Sequence, residues 1–189
     1  MYGRRPYTLL LIKIMKRNTK LTLSAIMAAL SATFMLFSYF PYLTYAIPAI
    51  AGLFVMVTVI EVNKKWAMLS YFASAVLIFF LAENESKLMY IFFLGYYPVL
   101  KAATEGLKNN ILEWIIKFLS FNIAVICVYM LFAKLYGIST EDFGILGKYG
   151  AFIFLVAGNI VFLLYDIAVS RMAMAYVSVL HPKIKKILK

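Results

Sequence analysis

Six apolar runs, each long enough to cross a bilayer, leave this chain few ways to fold. They are Leu21–Phe40, Tyr42–Ile60, Trp66–Ala82, Leu88–Leu107 with Lys101 inside it, Ile111–Ala133 and Tyr149–Leu180. A transmembrane helix takes about 20 residues, with roughly 17–25 as the usual range. The last run has length to spare for tilt or an overhang. Composition agrees: 65% of the 189 residues are hydrophobic and 14% charged, against ~45–50% and ~25% in soluble domains. The expected fold is an all-α integral membrane bundle of six spans. Residues 1–20 form a basic leader or interfacial arm, 21–180 the membrane domain and 181–189 a basic tail.

An even number of spans puts both termini on one side, and the connections say which. Arg4, Arg5, Lys13, Lys16, Arg17 and Lys20 precede the first run, and Lys64 and Lys65 follow the second. Lys101, Lys108 and Lys117 surround the fourth-to-fifth connection, and Lys183, Lys185, Lys186 and Lys189 fill the tail. The opposite side carries Lys87, Lys134 and Lys148 beside Glu83, Glu85, Glu141 and Asp142. The bias predicts cytoplasmic termini. It also accounts for the net charge of +11 without a nucleic-acid partner. Trp66 and Trp114 fall at the cytoplasmic boundary, with Tyr39, Tyr42, Tyr90 and Tyr136 at the outer one.

The segment YTLLLIKI near the start is too short to span and lacks the cleavage site of a signal peptide. It reads as an interfacial arm or as a stretch ahead of a true start at Met15, whose MKRNTK is an ordinary basic leader. The outer connection KLYGISTEDFGILGK reads as a lid or a plain loop.

Polar residues within apolar spans are costly, and each poses a functional question against a structural one. The fourth run carries Tyr90, Tyr97 and Lys101 as a stripe, the fifth Asn122 and Tyr129, the sixth Asn159 and Asp166. Asp166 lies about 25 Å below Tyr149 at ~1.5 Å per residue, where Lys101, Lys117 and Arg171 can neutralise it, so a structural ion pair is expected. Tyr129 and Asn159 are candidates for a pocket opening outward, and Asn122 for a bond to a neighbouring helix.

In FFLGYYPVLK, Gly95 and Pro98 predict a bend beside Tyr96 and Tyr97. That bend makes either an aromatic wall for a flat organic ligand or a packing kink with its rings in protein contacts. Pro41 with Tyr39, Tyr42 and Tyr45 on the first outer loop, and Pro48 beyond it, form a possible gate.

No nucleophile elbow, zinc-binding helix, phosphate loop or carboxylate-rich metal cluster is present. The single cysteine, Cys127, leaves no internal disulfide, and His181, beside Pro182 in the basic tail, reads as solvated. No metal or cofactor is expected.

The first run, LTLSAIMAALSATFMLF, spaces Ala25 and Ala29, and Ala28 and Ala32, four apart, a lane on which another helix can lie close. With six spans, a basic leader, this A-x-x-x-A lane, FFLGYYPVLK and LEWIIKFLSFN, the chain resembles the substrate-binding S components of energy-coupling-factor (ECF) transporters. The stretch from Lys20 to about Phe132 is most similar to those of a Firmicutes subgroup. The resemblance implies a prokaryotic plasma-membrane subunit that binds one small molecule, often a vitamin, in an outward-facing pocket. It implies docking through Ala25, Ala28, Ala29 and Ala32 on a transmembrane coupling subunit that carries two ATPases. Tyr90, Tyr96, Tyr97, Tyr129 and Asn159 would then be the substrate-binding candidates, and the chain no enzyme. Two other readings stay open: a structural or assembly protein without ligand, and a membrane enzyme on lipid-linked substrates with Asp166 as its acid or base.

Overall fold

The computed structural model describes residues 16–107, 109–136 and 150–187. The leader up to residue 15, Lys108, the proposed lid at 137–149 and the last two residues lie outside the described residues. What is described is helical, with no strand. The helices are α1 (Arg17–Met35), α2 (Ala46–Glu61), α3 (Lys64–Leu81), α4 (Asn84–Met89), α5 (Tyr97–Thr104), α6 (Asn110–Tyr136), α7 (Gly150–Val179) and α8 (His181–Ile187).

Among the described residues, four stretches are long and apolar enough to cross a membrane: Arg17–Tyr39, Lys64–Leu81, Asn110–Leu131 and Phe152–Val179. Their outward faces carry large apolar side chains such as Phe72, Phe80, Ile123, Met130, Phe154 and Leu164. A soluble monomer rarely leaves so continuous an apolar surface open, whereas acyl chains cover it without cost. α2 is also apolar but shorter, at 16 residues.

The fourth apolar run departs from the expected single span. It divides into α4, a π-helical turn at Tyr90–Leu94, and α5. The cause is local. The Gly95 N–H, which an α-helix would direct to Ile91, bonds the Tyr90 carbonyl at 2.8 Å. Pro98 has no N–H to offer Leu94. Two tyrosines from neighbouring helices serve the released carbonyls: Tyr71 Oη donates to Ile91 O at 2.5 Å, and Tyr165 Oη reaches Leu94 O at 3.5 Å. A side chain at position 52 would collide with the Leu94 carbonyl, so glycine there lets α2 lie against the turn.

Two packing regimes follow from composition. α1, α2 and α3 meet through small residues: Ser24, Ala28, Ser31, Ala32, Ala51, Ala67, Ser70 and Ser74 are all buried. Serine hydroxyls tie these helices together, Ser31 to the Ala51 carbonyl at 3.0 Å and Ser70 to the Ser24 carbonyl at 2.9 Å. The other half packs through rings, with Phe93, Tyr97 and Phe162 at the centre and Phe118, Phe121 and Tyr165 around them. α2 joins the halves, since Met56 packs with Val169 and Tyr176 of α7.

His181 is not the solvated residue that its place in a basic tail suggests. Its Nδ1 lies 2.8 Å from Glu61 Oε1, which also accepts the Tyr176 hydroxyl at 2.8 Å. Glu61 is 4% exposed at its side chain. This node fastens the start of α8 to the end of α2.

Candidate functional site

Among the described residues, three clusters of polar side chains besides the Glu61 node bear on which sequence candidates can meet a ligand. The first joins α5, α6 and α7. Asp166 accepts the Tyr97 hydroxyl, Lys101 Nζ at 2.5 Å and Lys117 Nζ at 3.2 Å. Lys101 also bridges to Glu105 at 2.9 Å, and Lys117 to Glu113 at 2.9 Å. The structure thus brings Asp166, Lys101 and Lys117 together, all three buried. Helical spacing builds the group: Tyr97, Lys101 and Glu105 recur every fourth residue on α5, as do Glu113 and Lys117 on α6. Each charge meets an opposite one, as burial in an apolar bundle requires. Arg171, a further candidate to neutralise Asp166, is exposed and makes no ion pair among the described residues.

In the second cluster Asn122 and Asn159 face each other. Each Nδ2 donates to the other's Oδ1 at 3.0 Å, and each also donates at 2.8 Å to a carbonyl one turn back on its own helix, Phe118 or Leu155. Both amide protons of each side chain are therefore committed. Asn159 as a ligand contact is corrected on this ground: it is a helix clamp.

The third cluster lies beneath the π-turn. Tyr90 is 0% exposed, with its hydroxyl 2.7 Å from Ser74 Oγ. Tyr97 is likewise 0% exposed and ends on Asp166. Tyr96 is half-buried, its hydroxyl 3.1 Å from Ser120 Oγ. The proposed aromatic wall is corrected accordingly: these rings fill the kink, and none of them lines either of the two hollows described below. Tyr129, in the C-terminal half of α6, is 36% exposed.

The alanine lane divides. Ala28 and Ala32 are 3% and 4% exposed and packed inside the bundle, so they cannot be the docking surface expected of them. Ala25 and Ala29, adjoining them on the surface of α1, are exposed.

A hollow of about 420 Å³ lies between α3, α4 and α6. Leu88, Ile91 and Phe92 form its floor, Phe79 and Leu131 its walls. Lys87 and Asn84 stand at the rim, with the ammonium 5.3 Å from the centre of the Phe79 ring. Sequence reasoning passed over Lys87 as an ordinary loop cation. A signal was available in the i, i+1, i+4, i+5 spacing of Lys87, Leu88, Ile91 and Phe92, which puts a cation and apolar groups on one side of a helical turn.

The neighbouring carboxylates are committed elsewhere. Glu83 caps α4 by accepting from the Glu85 and Ser86 N–H groups at 2.9 and 3.0 Å. Glu85 accepts the Tyr45 hydroxyl at 3.0 Å and, with that bond, holds the Tyr45 phenol above its ordinary pKa. Tyr45, in the turn ahead of α2, is thereby bonded to α4.

A second hollow of about 610 Å³ follows α6 alone, along Ile111, Ile115, Phe118 and Leu119. It is a flank that acyl chains can fill. Comparison with protein-family models, with curated proteins and with solved structures returned no match.

Proposed function

We propose that this chain is a six-span plasma-membrane protein with cytoplasmic termini that acts as the non-catalytic, small-molecule-binding subunit of an ECF-type uptake transporter. α2 and the divided α4–π–α5 segment add two passes to the four long helices. At ~1.5 Å per residue the 16 residues of α2 cover about 24 Å, close to a thin bilayer core. Leu21 through Tyr39 then run outward, and the basic residues Lys16, Arg17, Lys20, Lys64, Lys65 and Lys183 gather at the inner end.

One observation carries the reading. α1 buries Ser24, Ala28, Ser31 and Ala32 against its own neighbours, yet keeps Ala25 and Ala29 on its open side. A helix whose small residues continue past the edge of its buried face can be gripped from within and approached closely from without. The partner on the open side is a transmembrane coupling subunit bearing two ATPases, and the small molecule is taken at the outer end. Capture of a tagged chain from its native membranes should bring down one polytopic subunit with two nucleotide-binding subunits. A chain that purifies alone under mild detergent, at levels matching its membrane content, contradicts the proposal.

A second reading, an assembly protein without ligand, draws on the filled interior. Tyr90 with Ser74, Tyr97 with Asp166 and Asn122 with Asn159 satisfy one another and leave nothing for a guest. Native mass spectrometry separates the two: a tightly held small molecule favours uptake, and a bare chain favours assembly.

A further inference from the structure

We infer that the hollow between α3, α4 and α6 is a binding site for a small amphipathic organic anion, an aromatic or short aliphatic carboxylate. This names the ligand class for the uptake reading above and rests on it. The shape comes from the divided fourth segment. The π-turn adds a residue to the helical circuit, and Ile91 and Phe92 belong to that turn, forming the floor beside Leu88. α3 and α6 stand on either side and supply Phe79 and Leu131 as walls. A volume of about 420 Å³ falls within the ~300–1,000 Å³ of small-molecule sites.

Charge selects the guest. Lys87 makes no ion pair among the described residues, although two glutamates lie within four positions of it. Glu83 is held by the α4 cap and Glu85 by Tyr45, so among the described residues the ammonium is left over the Phe79 ring. A ring face binds a cation more weakly than a carboxylate does where water is partly excluded. An arriving acid group can therefore take the ammonium from the ring, with the Asn84 amide N–H as a second donor at the rim. The apolar body of the ligand then covers Leu88, Ile91 and Phe92. A neutral analogue gains the floor and forfeits the charge.

A phospholipid headgroup carries the same sign, and the test distinguishes it. The full chain in phosphatidylcholine nanodiscs is titrated calorimetrically with 4-phenylbutyrate, octanoate and indole-3-acetate, each paired with its primary amide. At least one acid should bind saturably and at least tenfold more tightly than its amide. Lys87→Met should erase that preference while the chain keeps its melting temperature, and Lys87→Arg should retain it. Equal binding of acid and amide, a preference that survives Lys87→Met, or no saturable binding of any acid overturns the inference. So does retention of phosphatidylglycerol in a Lys87-dependent manner without acid binding, which marks a lipid site. A neutral molecule found by native mass spectrometry in the coupled complex overturns this assignment and leaves the uptake reading standing. Absence of the coupled complex with the acid preference intact does the reverse.

Discussion

Asn122 of α6 and Asn159 of α7 form a closed pair, exchanging two side-chain hydrogen bonds of 3.0 Å each. Neither amide retains a free proton, so the pair is a fastening between the last two long helices. Replacing Asn159 with Leu strands the Asn122 amide in an apolar setting. The expected loss is about 1–2 kcal/mol, since an unmade buried hydrogen bond costs ~1–3 kcal/mol and interhelical bonds in membranes are at the low end. The double replacement with Leu should recover most of it. Thermal unfolding in detergent across the four-member cycle measures both.

Asp166 should be the most sensitive position of the bundle. Asp166→Asn removes the charge on which Lys101 and Lys117 converge and leaves two buried ammonium groups close together, with Glu105 and Glu113 as their remaining partners. Breaking a buried ion pair from one side costs roughly 3–5 kcal/mol, and an unstable or unfolded protein is expected. Glu105→Gln should cost under about 1 kcal/mol, because that partner is 43% exposed and solvent screens it. Chemical denaturation of the two variants checks the contrast.

The fit of α2 against the π-turn predicts a steric effect. Gly52→Ala drives a methyl group into the Leu94 carbonyl, and Gly95→Ala places one 2.7 Å from the Tyr90 ring and 2.9 Å from that of Tyr71. Backbone and packed rings cannot withdraw as a flexible side chain would. Each variant should lose about 1–3 kcal/mol as an overpacked core does, whereas Gly106→Ala, at 3.4 Å from its nearest neighbour, should be close to neutral. Melting temperatures of the three single variants in one detergent check this.

Hydrophobic run length made four long helices legible, and the Gly95–Pro98 pair made the break in the fourth run legible. Rotation of each helix was not. Ala25, Ala28, Ala29 and Ala32 share a stripe about 100° wide at ~100° per residue, and the edge of the buried face runs through it. Ala28 and Ala32 fall inside and Ala25 and Ala29 outside. No spacing rule places that edge, because it depends on where α2 and α3 lie. The same limit turned Tyr90, Tyr97 and Asn159 from pocket candidates into internal contacts. Spacing showed a polar side on each helix without showing that the sides face one another. His181 was illegible for a related reason: Glu61 is 120 positions away, and only the return of α7 to the end of α2 joins them.

That node yields a further prediction. His181→Ala leaves the buried Glu61 with the Tyr176 hydroxyl alone, and should release the start of α8. Stability should fall by roughly 1–3 kcal/mol, as when a buried charged group loses a hydrogen-bond partner. Amide hydrogen exchange at Lys183 and Ile184 should accelerate while exchange in α1 stays unchanged.

The open side of α1 bears most directly on what the protein does, and a bulky side chain placed there is the sharpest probe. Ala29→Leu should preserve the melting temperature, since position 29 is exposed, while reducing capture of the coupling subunit and its ATPases at least tenfold. Ala28→Leu, in the buried face, should instead unfold the bundle by overpacking. If Ala29→Leu captures the same complex in the same yield as the unaltered chain, α1 is not the docking surface and the transporter account is wrong.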